Sequence, residues 1–275
     1  MHPLILAAII VGSVLAFFLL VYLILIAPSR PRVPKELSSV KYAHRGLHGD
    51  GKAENSLSAF RAARDAGFGI ELDVRLSSDG VLMVFHDDTL DRVCGVSGRV
   101  DSFTAEELSK IKLSGTEDTV PTFAEVLSLV GGAVPILVEI KEDAGNSRVS
   151  TATAEILSDY SGAYLVQSFN PMSLANFRKH SPRVLRGILS HRYYKDEKYR
   201  KPLYFLLQCL LFNRLCRPSF ISYDHRDCGN LSFKLAQKVF GATTFAWTVR
   251  SQEEADLAKK HGFDTIIFEG FIPER

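Results

Sequence analysis

The dominant pattern along the chain, from residue 40 onward, is an alternation of short apolar runs with longer amphipathic segments. Short runs rich in β-branched and aromatic residues predict strands, whereas apolar residues spaced three and four apart predict helices. We expect strands at residues 40–44, 69–74, 81–86, 135–141, 164–168, 183–189, 220–223, 243–248 and 265–268. Helices are expected at residues 56–65, 104–110, 122–130, 171–179, 231–240 and 252–260. This order is typical of an α/β fold built on parallel strands.

Nine strands are one more than a closed eight-stranded barrel needs, and Asp79-Gly80 indicates which strand is extra. An Asp-Gly pair between two apolar runs favours a two-residue hairpin loop. Such a loop would make residues 81–86 an antiparallel arm of the second strand and would place Asp73 opposite His86. The sequence therefore predicts eight barrel strands, with an insertion at about residues 77–118.

An uncharged run of 24 residues, from Leu4 to Ala27, precedes this domain. At 1.5 Å per residue such a helix is about 36 Å long and exceeds the roughly 30 Å hydrocarbon thickness of a bilayer. We expect residues 1–28 to form a transmembrane anchor. A cleaved signal peptide is the alternative, although no Lys or Arg precedes the run and the run is longer than a typical signal-peptide core.

Basic residues flank this run only on its C-terminal side, at Arg30, Arg32, Lys35 and Lys41. The positive-inside rule then predicts a single-pass protein of the cell membrane, with the domain that follows the helix in the cytoplasm. The proline-rich residues 29–39 are expected to be a short, stiff, extended tether, which would hold the domain close to the bilayer.

Composition narrows the possibilities further. With 275 residues and 46% apolar content, the chain can bury the core of one barrel-sized domain. The net charge of +2 gives no support for nucleic-acid binding. The four cysteines have neither a CxxC pair nor a zinc-type spacing, so we expect free thiols.

Charged residues end several of the apolar runs, at His44-Arg45, Glu71-x-Asp73, His86-Asp87 and Glu139-x-Lys141. In a parallel barrel the C-terminal ends of the strands meet at one face, which carries the active site. Taken singly, each pair is more often part of an ordinary solvated surface than of a functional site. Barrel strands are buried on both faces, however, and a buried, unpaired carboxylate is costly, so a bound metal is the economical explanation.

Nine motifs in this chain follow the order found in the glycerophosphodiester phosphodiesterase family. They are His44-Arg45-Gly46, Glu54-Asn55-Ser56-Leu57-x-Ala59-Phe60, Ile70-Glu71-x-Asp73-Val74, Ser78-Asp79-Gly80, His86-Asp87-x-Thr89-Leu90-x-Arg92, Pro121-Thr122, Glu139-Ile140-Lys141, Ser168-Phe169 and Trp247-Thr248-Val249. The chain resembles that family over about residues 40–270.

The resemblance implies a TIM (β/α)8 barrel of the phospholipase-C-like type at residues 40–275, with a small insertion after the second strand. It also implies one divalent cation and hydrolysis of glycerophosphodiesters to glycerol 3-phosphate and an alcohol. The membrane helix lies outside the resemblance.

Metal and proton-transfer roles follow from both the resemblance and the chemistry. Phosphodiester hydrolysis needs positive charge on the non-bridging oxygens, an activated nucleophile and a protonated leaving group. Glu71, Asp73 and Glu139 match the family's metal carboxylates, and their hard oxygens suit Mg²⁺ or Ca²⁺. His44 and His86 match the family's acid/base pair, because imidazole titrates near neutrality.

Substrate contacts are expected from Arg45, a rigid fork for phosphate oxygens, and from Lys141, a point charge. Trp247 is a candidate wall for the glycerol or headgroup, although a strand Trp is as often a core residue. Glu54 and Asn55 are weaker candidates, since Asn55 is also placed to cap the helix that begins at Ser56. No catalytic role is expected for His48, His191, His225 or His261.

The stretch from His191 to Pro218 bears on the substrate. It has a basic, aromatic start, an apolar centre at residues 203–212, and then Arg214 and Arg217. The centre is too short to span a bilayer. Residues 198–217 therefore form either a helix that lies in the membrane interface near the barrel mouth or an ordinary buried barrel helix.

Several alternatives stay open. Lysophospholipase D-type hydrolysis of lysophospholipids would use the same chemistry, and a non-catalytic membrane-bound binding domain is a less favoured possibility. The attacking group is either water or the substrate's own 2-hydroxyl, through a cyclic phosphate. Where the family usually has a small or polar residue and then an acidic one, this chain has Phe268-Glu269, and a Phe268 at the barrel mouth would reshape the pocket.

Overall fold

A closed parallel barrel forms the body of the protein. The computed structural model describes residues 2–29, 32–143 and 145–274. Within these residues the strands are β1 (Tyr42–Ala43), β2 (Gly69–Leu76), β3 (Leu82–Val84), β4 (Ile136–Ile140), β5 (Tyr164–Ser168), β6 (Arg186–Ser190), β7 (Phe220–Asp224), β8 (Thr243–Val249) and β9 (Thr265–Phe268). Eight of them pair in parallel, and β1 closes the ring by pairing with both β2 and β9. This confirms the predicted TIM barrel.

The described residues form twelve α-helices, most of which lie around the barrel. They are α1 (Pro3–Ile26), α2 (Lys35–Ser38), α3 (Leu57–Asp65), α4 (Asp91–Cys94), α5 (Ala105–Leu108), α6 (Phe123–Val130), α7 (Arg148–Ser158), α8 (Pro171–His180), α9 (Pro202–Gln208), α10 (Asn213–Cys216), α11 (Leu231–Lys238) and α12 (Gln252–Lys260). All six helices expected in the domain are present. Helix α7 was missed, because its Ser and Thr residues are weak helix formers and obscure the buried face of Val149, Ala154 and Leu157.

The predicted hairpin exists, but its predicted register is wrong by one residue. Strand β3 pairs antiparallel with β2 as Val74↔Val84, so that the backbone amide of Phe85, and not that of His86, donates to Asp73. Ser77 explains the difference, because its hydroxyl accepts a 2.9 Å hydrogen bond from the Val81 amide and lengthens the loop to three residues. His86 lies beyond the end of β3, where strand alternation no longer fixes the direction of its side chain.

The N-terminal end of the barrel is closed by the segment that leads into it. Val33 is buried among inward-facing side chains of the barrel, including Tyr42 and Phe245, and the Tyr42 hydroxyl donates to the Leu37 carbonyl at 2.9 Å. Residues 32–39 therefore pack on the barrel and include helix α2, and do not form the extended tether that the sequence predicted. Arg30 and Pro31, two residues of that predicted tether, lie outside the described residues.

Helix α1 stands apart from the barrel except at its C-terminal end. Its side chains are mostly exposed, and its length and apolar composition are those of a membrane span, although a signal sequence has the same properties. Near its end, the Tyr22 hydroxyl lies 2.7 Å from the Ser232 hydroxyl, and the Ile26 carbonyl accepts a 2.7 Å hydrogen bond from the Asn213 side chain. The last turns of α1 are therefore attached to the domain.

Residues 198–217 do not form a single helix, whereas both alternatives considered from the sequence, an interfacial helix and a buried barrel helix, assumed one. They contain two short helices, α9 and α10, separated by Leu210, which has a positive φ of 57°. Leu203, Phe205 and Leu206 on α9 are exposed, whereas Leu210 is buried. The segment thus presents an apolar outer surface while its centre packs on the barrel.

Gly187 provides a test of the packing inside the barrel. Gly187 pairs with Phe220, and a Cβ added to Gly187 would overlap the Phe220 ring. Overpacking of this kind costs about 1–3 kcal/mol. We expect Gly187→Ala to lower the melting temperature of the full chain by about 2–4 °C for each of these kcal/mol.

The matched control is Gly229→Ala, because a Cβ at Gly229 meets nothing within 4 Å. Equal melting temperatures for Gly187→Ala and Gly229→Ala in a thermal unfolding experiment would contradict this account of the barrel interior.

Candidate active site

Three buried carboxylates meet at the C-terminal ends of β2 and β4. Glu71 and Asp73 are two residues apart on β2 and share a face, and Asp73 pairs with Glu139 of the neighbouring strand β4. The exposed fractions are 1% for Glu71, 0% for Asp73 and 6% for Glu139. One oxygen from each carboxylate lies within 4.8 Å of the other two. The three predicted metal ligands are therefore brought together.

Two cations partly balance this charge. The Lys141 ammonium lies 2.5 Å from Glu139 Oε1 and 3.2 Å from Asp73 Oδ1. Arg45 Nε lies 3.5 Å from Asp73 Oδ2, and the Arg45 backbone amide donates to Glu71 Oε2 at 3.1 Å. Both predicted phosphate contacts thus lie beside the carboxylates, with three acidic groups facing two basic ones.

The excess of acidic over basic groups shifts the pKa values of the carboxylates. Burial raises the pKa of Glu71 well above its usual range, and repulsion from Asp73 and Glu139 raises it further. Burial also raises the pKa of Glu139, although Lys141 opposes this. For Asp73 burial opposes ionisation, but the neighbouring positive charges, led by Lys141, hold its pKa below the usual value. Without further positive charge, both glutamates are shifted toward their neutral forms, Glu71 more strongly than Glu139.

The donor set fits a hard divalent cation. All three groups offer carboxylate oxygens, which Mg²⁺ and Ca²⁺ prefer. Asp73 Oδ1 is buried and makes no well-aligned hydrogen bond with the described residues, although the Lys141 ammonium lies 3.2 Å away. A buried carboxylate oxygen with so little hydrogen bonding is costly, and coordination to a cation would satisfy it. Glu71, Asp73 and Glu139 are therefore the residues that could hold the metal.

Two histidines, His44 and His86, follow β1 and β3. Both line a cavity of about 150 Å³, which Glu71, Glu139 and Lys141 also line. His44 Nδ1 lies 2.8 Å from Glu269 Oε2, and His86 Nδ1 lies 2.6 Å from Asp87 Oδ1. A carboxylate at Nδ1 holds the proton there, so Nε2 is the nitrogen left for proton exchange. Burial is the main cause that lowers the pKa of each histidine.

The two carboxylates that hold these imidazoles were given no role from the sequence. The hydrogen bond from His44 lowers the pKa of Glu269 to about 2. Burial opposes ionisation of Asp87, but hydrogen bonds from Arg92 and His86 lower its pKa to about 2. The available signal was position, since Glu269 follows β9 and Asp87 follows His86, both directly after apolar runs.

Glu54 and Asn55 support the residues around them and do not line the cavity. Arg45 Nη1 donates to Glu54 Oε1 at 2.8 Å, and Asn55 Nδ2 donates to Asp73 Oδ2 at 2.9 Å. Ser56, not Asn55, caps helix α3, because its hydroxyl accepts the Ala59 amide. Asn55 instead turns its amide toward Asp73, with a positive backbone φ of 54°.

Aromatic residues form one wall of the cavity. Trp247 lies in this wall, and its ring centroid is 5.4 Å from that of Phe169 in an edge-to-face arrangement. Gln167 on β5 also lines the cavity and lies 3.4 Å from Glu71 Oε1. Neither Phe169 nor Gln167 was assigned a role from the sequence, although Phe169 belongs to one of the nine motifs.

The expectation that Phe268 lies at the barrel mouth and reshapes the pocket is wrong. Its ring is buried on the outer side of β9, where its centroid lies 4.9 Å from that of Phe68. Because side chains alternate along a strand, Ile267 faces the cavity instead. The described residues that line this cavity do not include His48, His191, His225 or His261.

Comparisons with known proteins agree with this geometry. The sequence profile of the glycerophosphoryl diester phosphodiesterase family matches residues 44–270. A glycerophosphodiester phosphodiesterase of Caldanaerobacter subterraneus is 30% identical, over 84% of this chain and 94% of its own length. Mouse glycerophosphodiester phosphodiesterase 1 is 31% identical, over 54% of this chain and 48% of its own length.

Solved structures share the fold. A glycerophosphodiester phosphodiesterase from Thermotoga maritima superposes with a TM-score of 0.65 at 26% identity, over 83% of this chain and 94% of that one. A phosphodiesterase from Oleispira antarctica, solved with the product sn-glycerol-3-phosphate, superposes with a TM-score of 0.70 at 22% identity, over 83% and 92% of the two chains. On the profile match and the Caldanaerobacter relative, this chain belongs to the glycerophosphoryl diester phosphodiesterase family.

Proposed function

We propose that this protein hydrolyses glycerophosphodiesters to glycerol 3-phosphate and an alcohol, with one divalent cation held by Glu71, Asp73 and Glu139. The observation that carries the proposal is a cluster of three buried carboxylates, two of which, Glu71 and Glu139, line one cavity together with His44 and His86. The complex of the Oleispira enzyme with sn-glycerol-3-phosphate supports the same product. The cation, when bound, would withdraw negative charge from the phosphate oxygens.

The protein's own cations would bind the phosphate. Glu54 holds the Arg45 guanidinium at 2.8 Å, and Lys141 projects between Asp73 and Glu139. Both cations are therefore fixed before substrate arrives, which preorganises their charge for the reaction. We assign Arg45 and Lys141 to the non-bridging oxygens and Trp247 to the wall against the organic group.

The histidines would move the protons. Anchored at Nδ1, each imidazole presents Nε2, so one removes a proton from the attacking hydroxyl and the other donates one to the leaving oxygen. The attacking hydroxyl belongs to water or to the substrate's 2-position. Full activity on a diester that lacks the 2-hydroxyl would exclude an obligatory cyclic phosphate, and loss of activity would support it.

We also propose that α1 is an uncleaved membrane anchor and that the domain lies in the cytoplasm. The support is the length of α1 and the cluster of Arg30, Arg32, Lys35 and Lys41 that follows it. The last turns of α1 contact α10 and α11. These contacts support a helix that is retained, because a signal sequence that is cleaved off would not need them.

Replacement of the acid/base histidines should abolish most activity. We expect His44→Ala and His86→Ala each to lower kcat by about 10²–10⁴-fold on glycerophosphocholine, as for the loss of a general acid or base. Glu269→Gln should lower kcat by about 10–100-fold, because Glu269 holds His44 and also pairs with Arg250 at 3.2 Å, but does not itself line the cavity. The control is His180→Ala, at the exposed end of α8. Wild-type hydrolysis by His44→Ala would contradict the mechanism as stated, because His44 could then be neither the general acid nor the general base.

Metal binding should stabilise the protein through the carboxylates. A ligand at 100 times its Kd stabilises the folded state by about 2.7 kcal/mol. We expect Mg²⁺ or Ca²⁺ to raise the melting temperature of the wild type, and Glu71→Gln to lose that rise. Because Glu71 is repelled by its neighbours, the metal-free variant should be no less stable than the metal-free wild type.

Glu155→Gln, an exposed substitution on α7, is the control for that experiment and should keep the full metal-induced rise. An undiminished rise in Glu71→Gln, measured by thermal unfolding with and without metal, would show that the cation binds elsewhere.

Membrane attachment can be tested on the full chain in the membrane fraction of the cells that produce it. We expect it to stay in the membrane fraction after an alkaline carbonate wash and to retain residues 3–26 when its N-terminus is sequenced. A soluble protein whose N-terminus lies beyond Ala27 would identify the helix as a signal sequence and overturn the anchor.

A further inference from the structure

An aromatic groove opens beside the catalytic cavity, above β5 and β6. Its volume is about 470 Å³, against about 150 Å³ for the catalytic cavity, and Phe169 lines both. Cavities of this size commonly hold small organic ligands. The side chains that give the aromatic groove its character are Phe169, Tyr193, Leu203, Tyr204, Leu207 and Phe212.

A row of rings connects the catalytic cavity with the far end of the aromatic groove. The Lys141 ammonium lies 6.0 Å from the centroid of Phe169, which lies 6.1 Å from that of His191. The row continues to Tyr193, at 4.0 Å from His191, and to Tyr204, at 5.4 Å from Tyr193. A diester with its phosphate beside Lys141 can therefore extend an apolar substituent along protein surface into the groove.

The walls suit a hydrocarbon chain better than a charged headgroup. Aliphatic residues of α9 line the groove together with the aromatic ones, and Tyr193 is only 5% exposed. A cationic headgroup would need free aromatic faces. The Lys198 ammonium already lies 4.7 Å from the ring of Tyr199 and would repel a second cation there.

Helix α1 shows on which side a bilayer would lie. Tyr22 contacts Ser232 in the first turn of α11, which follows the C-terminal end of β7, whereas the Ser29 amide donates to Pro218, which precedes the N-terminal end of β7. The chain thus passes from the active-site end of the barrel toward the opposite end. The earlier turns of α1 must extend beyond the active-site end.

The groove lies next to this attachment. Phe212 forms part of its wall, and the following residue, Asn213, donates to the Ile26 carbonyl at 2.7 Å. A helix of 24 residues is about one turn longer than the roughly 30 Å hydrocarbon layer needs, so its last turn can pack on the domain at the bilayer surface. Leu203 and Phe205 on α9, 53% and 47% exposed, extend the apolar surface outward.

From these contacts we propose that the aromatic groove binds the hydrocarbon chain of an acylated diester at the bilayer surface. This inference rests on the proposed function and names its substrate class, which is lipid-derived diesters such as lysophospholipids. The chain can be carried on the glycerol, as in a lysophospholipid, or on the alcohol, and either arrangement leaves the phosphate at Lys141.

The test uses the full chain in phosphatidylcholine vesicles with Mg²⁺ or Ca²⁺. One substrate series is 1-acyl-glycerophosphocholines of increasing chain length, and the other is glycerophosphate esters of straight-chain alcohols, all kept below their micelle-forming concentrations. We expect kcat/KM to rise with chain length, by up to about fourfold per methylene. The series in which it rises identifies the end that carries the chain.

Three other outcomes are distinguishable. Hydrolysis of glycerophosphocholine with no dependence on chain length in either series would overturn this inference and leave the proposed function intact. A preference for choline over ethanolamine diesters without chain dependence would assign the groove to a cationic headgroup and would also overturn it. Failure to hydrolyse any diester would overturn the proposed function itself.

Variants on α9 provide a matched pair. Leu203 lines the groove and Leu206 does not, and both are exposed, at 53% and 37%. A carboxylate in the path of the chain is unfavourable, so we expect Leu203→Glu to lower the ratio of kcat/KM for acylated over unacylated diesters by about tenfold. Leu206→Glu should leave that ratio unchanged.

Met172→Glu repeats the test from the other wall of the groove, at a side chain that is 56% exposed and so carries little risk to folding. Equal ratios in Leu203→Glu, Met172→Glu and Leu206→Glu would show that the groove does not hold the chain.

Discussion

The burial of three carboxylates at the C-terminal ends of β2 and β4 is the constraint on which the rest of the site depends. Parallel pairing sets Asp73 directly beside Glu139, and strand alternation adds Glu71 to the same face. Such a cluster is unstable as three free anions. Lys141 and Arg45 reduce the repulsion, and a divalent cation, as we propose, would supply the further positive charge that favours ionisation of all three.

Closure of the barrel positions one of the two histidines that we propose for proton transfer. His44 follows β1 and Glu269 follows β9, 225 residues later, and they meet because β1 and β9 pair to close the ring. His86 has its carboxylate next to it in sequence and is placed by the hairpin instead. The two histidines thus have similar environments through unrelated parts of the fold.

Much of this arrangement could be predicted from the sequence. The strands and the charged residues that end them are strong local signals, and nine ordered motifs indicated the family. Predictions failed where a long-range or side-chain contact decides. The Ser77 hydroxyl shifted the hairpin register by one residue, and packing against the barrel stabilises α7 despite its weak local propensity. Glu269 gains its role only from barrel closure, which no local pattern contains.

The same geometry suggests how a substrate would be divided between two regions. In the proposed function the cations beside the carboxylates would bind the phosphate, while the loop after β6 and helix α9 add an apolar surface on one side of the cavity. The proposed chemistry would then lie on the rigid barrel and the proposed selectivity on the adjoining segment, as is common in this architecture.

We expect Glu71, Asp73 and Glu139 together to bind one cation. The decisive measurement is the anomalous scattering of a crystal of the full chain grown with Mn²⁺, which substitutes for Mg²⁺. One anomalous peak in contact with oxygens of all three carboxylates is the expected result. A peak elsewhere, with these carboxylates free of metal in an active preparation, would contradict it.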